Sequence, residues 1–124
     1  MYRALFTALG ELPAAQALAF STATRPVNGV IAASAGNHAQ GVALAARIHG
    51  IKAVVCMAAN ATPSKVEATR AYGAEVVLHG TIWDEANEKA KQLVEEKGYT
   101  YIHPFDDLQL IQGQGTVGLE IIQD

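Results

Sequence analysis

Ala32-Ala33-Ser34-Ala35-Gly36-Asn37-His38-Ala39-Gln40-Gly41 marks the point where one periodicity replaces another, and it decides the fold class. Before it, Val27 to Ala33 is a short run of β-branched and small residues; after it, Val42, Ala45, Ala46 and Ile48 recur at helical spacing. A strand therefore turns into a helix over Ser34 to Asn37, which is where open α/β sheets bind their ligands. Ser34 and Asn37 are both residue types that cap helices, and Gly36 lets backbone come close to a ligand. The amides of a first helical turn, at the positive end of its dipole, favour an anion. The turn is suited to hold a carboxylate or a phosphate.

Outward from this turn the pattern alternates. The helix from about Asn37 to His49 ends at Gly50, and Ala53 to Met57 reads as a second strand. Thr62-Pro63 opens another helix, with Thr62 at its N-cap, and Gly73 ends it. Glu75 to Leu78 is the third strand. Asp84 to Glu96 forms the most polar helix, with Ala86, Ala90, Leu93 and Val94 facing inward and Glu88 and Lys91 forming a solvated pair. Tyr99 to Ile102 is the fourth strand, and a last helix is expected from near Gly113 to the C-terminus. Strands alternating with helices predict an α/β fold: an open parallel four-stranded sheet with helices on both faces, in three layers. If the first strand is central, Ser34 to His38 falls at a topological switch point. The division expected is an N-terminal helical segment and linker over residues 1–26, with Leu5, Leu9 and Leu12 on one helical face, and a small α/β domain over residues 27–124.

A chain of 124 residues, 50% hydrophobic and 17% charged, is long enough for one core and is not of disordered composition. Its net charge of −3 and scattered basic residues leave no electrostatic footprint for nucleic acid. Cys56, the single cysteine, lies in an apolar run and reads as a small buried hydrophobe in a reducing compartment. His49, His79 and His103 have no partners at metal-ligand spacing, so no metal is expected. No run is long enough to cross a bilayer and no cleavage site is evident, so a cytoplasmic protein is the expectation.

The words Ser34-Ala35-Gly36-Asn37-His38-Ala39-Gln40-Gly41-Val42-Ala43 resemble the asparagine loop of the fold-type II pyridoxal-phosphate enzymes, most closely the threonine (serine) dehydratases, with the serine racemases as near relatives. Ile102-His103-Pro104-Phe105-Asp106-Asp107 followed by Gly113-Gln114-Gly115-Thr116 resembles a second family stretch. The resemblance runs from about Val27 to Asp124. It implies that Ser34, Asn37 and the His38 amide hold the substrate carboxylate beside Ala35, that Asn37 meets the 3′ oxygen of pyridoxal phosphate next to Gly36, and that Phe105 lines the cleft. The imidazole of His38 is expected only to pack or hydrogen-bond. Racemases carry a serine where Ala35 stands, and alanine cannot exchange a proton, so the resemblance favours a dehydratase.

The implied reaction removes water from threonine or serine and then ammonia, giving a 2-oxo acid. In the family the cofactor is held covalently by a lysine in a Ser-Phe-Lys-x-Arg-Gly-Ala context upstream of the asparagine loop. Here Met1 stands where that lysine belongs, and the lysines present, Lys52, Lys65, Lys89, Lys91 and Lys97, all follow the loop. Family members are well over twice this length, and their larger domain supplies the phosphate cradle. The expectation is therefore an isolated small domain of a threonine/serine dehydratase, inactive alone and not binding pyridoxal phosphate stably. Its partners would be a small amino acid and either the missing larger domain or a second copy. The alternatives are a non-catalytic amino-acid or anion binding module, or a truncated gene product.

Overall fold

The computed structural model describes residues 28–123; the expected N-terminal helix and linker lie outside them. Four strands, β1 (Val30–Ala33), β2 (Ala53–Met57), β3 (Glu75–Leu78) and β4 (Thr100–Tyr101), alternate with α1 (Asn37–His49), α2 (Pro63–Ala71) and α3 (Trp83–Lys97). Two further helices, α4 (Leu108–Gln114) and α5 (Thr116–Gln123), complete the described chain. The sheet is parallel throughout, in the order β3-β2-β1-β4. From β1 the chain moves one way to β2 and β3, then crosses back to β4 on the other side. Right-handed crossovers running in opposite directions put their helices on opposite faces. The expected three-layer α/β architecture is what the chain adopts.

The strand residues divide accordingly. Val30, Ala32, Val55 and Met57 point to the face covered by α1 and α2, where they meet Ala39, Val42, Ala43, Ala46 and Val66. Ile31, Ala33, Val54 and Cys56 point to the other face and meet Ala86 and Ala90 of α3. Alanines on both helices let them lie close to the sheet, and each fully buried Val or Ile contributes roughly 1.5–3 kcal/mol. β1 is wholly buried, whereas Glu75 and Leu78 at the ends of β3 are exposed, as befits an edge strand.

Several boundaries differ from the sequence expectation. β1 starts at Val30 because Gly29 has φ +129°, a conformation L side chains rarely adopt, and a Cβ there would stand 2.8 Å from the Lys52 carbonyl oxygen. Thr62 does occupy the N-cap of α2, but its hydroxyl makes no bond to the helix. β4 is only two residues long. The last helix does not begin at Gly113, which is buried within α4. Asp107 caps α4 instead, its Oδ1 accepting the Leu110 amide at 3.0 Å, and Gly115 separates α4 from α5.

Candidate functional site

β1 is internal to the sheet, with β2 on one side and β4 on the other, so the turn after it lies at the switch point between outward and returning connections. Two segments meet there: Ser34 to His38 from β1, and Ile102 to Asp106 from β4. The short strand β4 ends because the chain folds onto His103, whose Nδ1 accepts the amides of Phe105 at 3.1 Å and Asp106 at 2.8 Å.

Ser34 organises its own turn. Its Oγ accepts the Gly36 amide and the Ala39 amide, both at 3.2 Å, while its backbone N–H donates to the Cys56 carbonyl at 3.1 Å. A hydroxyl has two acceptor lone pairs and one proton. With both lone pairs committed to backbone, Ser34 has a proton to give and nothing more to take, the bonding an anion requires. Asn37 is the first residue of α1 rather than its cap, a place taken by Gly36, and its side chain is exposed at the open end of the turn. A Cβ built on Gly36 meets nothing within 4 Å, so the open side of the turn has room for a ligand. Ala35, half-buried, presents only a methyl group.

The His38 ring holds the two segments together. Its Nε2 donates to the Ile102 carbonyl at 3.1 Å; since a carbonyl only accepts, the neutral ring carries its proton on Nε2. Burial pushes this imidazole below its ordinary range; the bond to Ile102 partly offsets the shift, and the nearby His103 adds to it. The ring therefore serves as a neutral tie between the two segments.

Beside the turn, a hollow of about 260 Å³ opens between the ends of β1 and β2 and the start of α3. Ser34, Ala35, Cys56, Asn60, Thr81 and Trp83 are among its walls, and no charged side chain lines it. Cys56 is buried, and burial raises its thiol to about 11, so it is inert as a nucleophile. Just ahead of α3, Glu85 Oε2 accepts the amides of Thr81 and Ile82, which holds its carboxyl below the usual range.

Ser34, Ala35, Gly36, Asn37 and His38, consecutive in the chain, form the turn between β1 and α1. Phe105 does not join them in the same hollow. It is 64% exposed, stands edge-on to His103 and tilted to Trp83, and borders a separate depression of about 240 Å³ with Leu110 and Ile111. Trp83, whose Nε1 donates to the Ala33 carbonyl at 2.8 Å, escapes the sequence reading. Nothing in helical periodicity distinguishes an aromatic at a helix start from ordinary packing. No group of three or more His, Cys, Asp or Glu among the described residues could hold a metal. No helix among them is long and apolar enough to cross a membrane.

The family model for pyridoxal-phosphate dependent enzymes matches residues 3–124. The chain belongs to this family. It is 56% identical over 96 residues to an L-threonine ammonia-lyase of Thermotoga maritima, covering 77% of this chain and 24% of that one. Among solved structures, processed threonine deaminase isoform 2 from Solanum lycopersicum superposes with a TM-score of 0.81 at 45% identity, covering 89% of this chain and 31% of that one. Serine racemase from Dictyostelium discoideum superposes at 0.78 with 32% identity, covering 89% and 36%. The chain thus spans about a quarter of that lyase and about a third of those two solved chains.

The residues at the turn fit one edge of the family's cofactor. Gly36 leaves open space and the Asn37 carboxamide is exposed beside it. Among the described residues, no lysine lines the hollow that Ser34 and Ala35 share. Lys52 is engaged with Glu75 at the opposite end of the sheet, and Lys91 with Glu88 along α3.

Proposed function

We propose that this chain is the amino-acid-holding part of a pyridoxal-phosphate-dependent threonine/serine ammonia-lyase. The observation that carries the reading is the bonding of Ser34, a hydroxyl at the sheet's switch point with both lone pairs occupied and only a proton to offer. In this reading Ser34 and the first-turn amides of α1, His38's among them, bind the substrate carboxylate, and Asn37 meets the cofactor beside Gly36. Pyridoxal phosphate, when bound, supplies the electron sink that lets the substrate lose its α-proton and then its hydroxyl. The residues of this chain orient the substrate; Ala35 cannot exchange a proton on the opposite face, which favours elimination over racemisation.

Catalysis in this reading needs the lysine and phosphate cradle of a larger domain, on the same or a neighbouring polypeptide. Phe105, Leu108, Ile111, Leu119, Ile121 and Ile122 are each more than half exposed and give α4, α5 and the β4 loop an apolar face for that domain or for a second copy to cover. A cytoplasmic setting suits such an enzyme and the buried, unpaired Cys56.

Two experiments test this function. Residues 30–123 exchanged into the Thermotoga maritima ammonia-lyase in place of its matching segment should retain threonine turnover, and Ser34→Ala in that chimera should abolish most of it. A folded chimera that turns over threonine equally well with Ser34→Ala contradicts the assignment. The chain alone, incubated with pyridoxal phosphate and reduced with borohydride, should show no stoichiometric labelling of a single lysine and no release of 2-oxobutyrate from threonine. Labelling together with turnover would make it a complete enzyme.

A further inference from the structure

Trp83 occupies an unusual place in the sheet's bonding. Along the β1–β4 edge, Thr100 N–H donates to the Gly29 carbonyl and Ile102 N–H to the Ile31 carbonyl, both at 2.9 Å. The next rung of this parallel ladder would join residue 104 to the Ala33 carbonyl. Residue 104 is proline and has no N–H, so the rung cannot form. Ala33 is fully buried, and a buried carbonyl without a partner is costly. The indole N–H of Trp83, arriving from the first turn of α3, fills the vacancy at 2.8 Å.

The peptide unit between Ala33 and Ser34 is therefore pinned from both sides, its carbonyl by Trp83 and its N–H by the Cys56 carbonyl. That unit sets the direction of the Ser34 Cα–Cβ bond. The direction decides whether Oγ can collect the Gly36 and Ala39 amides and turn its proton outward. Trp83 also meets Phe105 with ring centroids 6.4 Å apart, so it ties the start of α3 to the loop after β4 as well.

We infer that Trp83 is a positioning residue for the carboxylate-holding turn, its indole N–H standing in for the ladder bond that Pro104 denies to Ala33. In this role it acts through the Ala33–Ser34 peptide and not through its place in the wall of the hollow beside the turn. The inference rests on the proposed function only where ligand affinity is measured, because the peptide's immobilisation can be read without a ligand.

Trp83→Phe keeps an aromatic ring but removes the donor, and replacing Trp83 with its benzothienyl isostere, sulfur for N–H, keeps the shape as well. In both, amide hydrogen exchange at Ser34 should quicken about tenfold, while Val54 and Val55 in the adjoining strand, reporters of global opening, exchange as before. Adding Pro104→Ala to Trp83→Phe restores an N–H at the vacant rung and should slow Ser34 exchange again. The apparent dissociation constant for L-serine, followed by NMR, should rise several-fold in Trp83→Phe and recover in the double variant. Unchanged Ser34 exchange in the benzothienyl protein overturns the inference, as does acceleration shared equally by Val54 and Val55, which would make Trp83 a packing residue only. Local acceleration without any L-serine binding in the parent leaves the positioning role standing and counts against the proposed function instead.

Discussion

Replacing Ser34 with alanine removes one oxygen and strands two backbone donors. The Gly36 and Ala39 amides both lose their acceptor at 3.2 Å. Ala39 is fully buried, so its N–H cannot turn to water as a frayed helix end would. Loss of a capping hydroxyl costs about 0.5–2 kcal/mol, and the burial of Ala39 places this case in the upper half of that range. A domain of this size has roughly 5–15 kcal/mol of stability in total, and about 1 kcal/mol moves the melting midpoint by about 4–8 °C. Ser34→Ala should therefore lower Tm by about 5–15 °C, with Ala39 among the amides whose exchange accelerates most. Urea melts with unchanged m-value, combined with residue-resolved exchange, give both readouts. Ala35→Ser provides the control, since it adds a hydroxyl one residue along without touching these bonds. A Ser34→Ala protein as stable as the parent, with Ala39 equally protected, would refute the assignment of both lone pairs to the backbone.

His38 gives a pH signature whose sign is fixed by the direction of its shift. Its folded value lies below the ordinary 6.5, so between the two the unfolded chain binds more protons. The contribution is fully present above about pH 6.5 and declines as pH falls toward the folded value; His38→Gln should flatten that part of a stability–pH curve measured by urea denaturation, and an identical slope would contradict it. Gly29→Ala introduces a side chain at φ +129° against the Lys52 carbonyl and should cost at least about 1–3 kcal/mol, measurable as a fall in the urea midpoint. Tyr101 donates its hydroxyl to Oδ1 of the buried Asn87, so Tyr101→Phe should cost about 1–3 kcal/mol. Tyr101→Phe combined with Asn87→Leu should cost less than the sum of the single changes, and additivity in the double-mutant cycle would argue that the two side chains are not coupled.

The sequence is informative wherever one residue type has a single physical use. The glycines at 50, 73 and 98 end helices because each holds a positive φ, and the unbroken apolar run of Val30, Ile31, Ala32 and Ala33 reads as a strand, whose central place in the sheet only the fold reveals. The Ser34 to His38 turn is legible as a strand-to-helix junction, but its hydroxyl, glycine and carboxamide suit a plain helix cap as well as an anion site, and it is the resemblance to the asparagine loop that favours the second. What escapes is bonding between distant segments. β4 stops at Tyr101 because His103 gathers two amides ahead of it, a tertiary use of an imidazole that no local pattern announces. Gly113 suggests a helix start, yet the Asp107 carboxylate six residues earlier is the cap, and the two-glycine stretch marks the break between α4 and α5 instead. Trp83 and Ala33 are fifty positions apart, and only the fold brings an indole to the carbonyl that Pro104 leaves unserved.

Binding of an amino-acid carboxylate by the Ser34 to His38 turn can be followed by titrating L-serine into the isotope-labelled chain and recording its amide spectrum. A few hydrogen bonds worth roughly 0.5–1.5 kcal/mol each, set against the cost of immobilising a free ligand, imply weak binding, on the order of millimolar. Saturable shifts should be confined to Ser34 through Ala39 and lost in Ser34→Ala. Shifts centred instead on the lysine-lined groove of Lys52, Lys89 and Lys97 at the opposite end of the sheet, or no saturable shift at the turn, would contradict such binding.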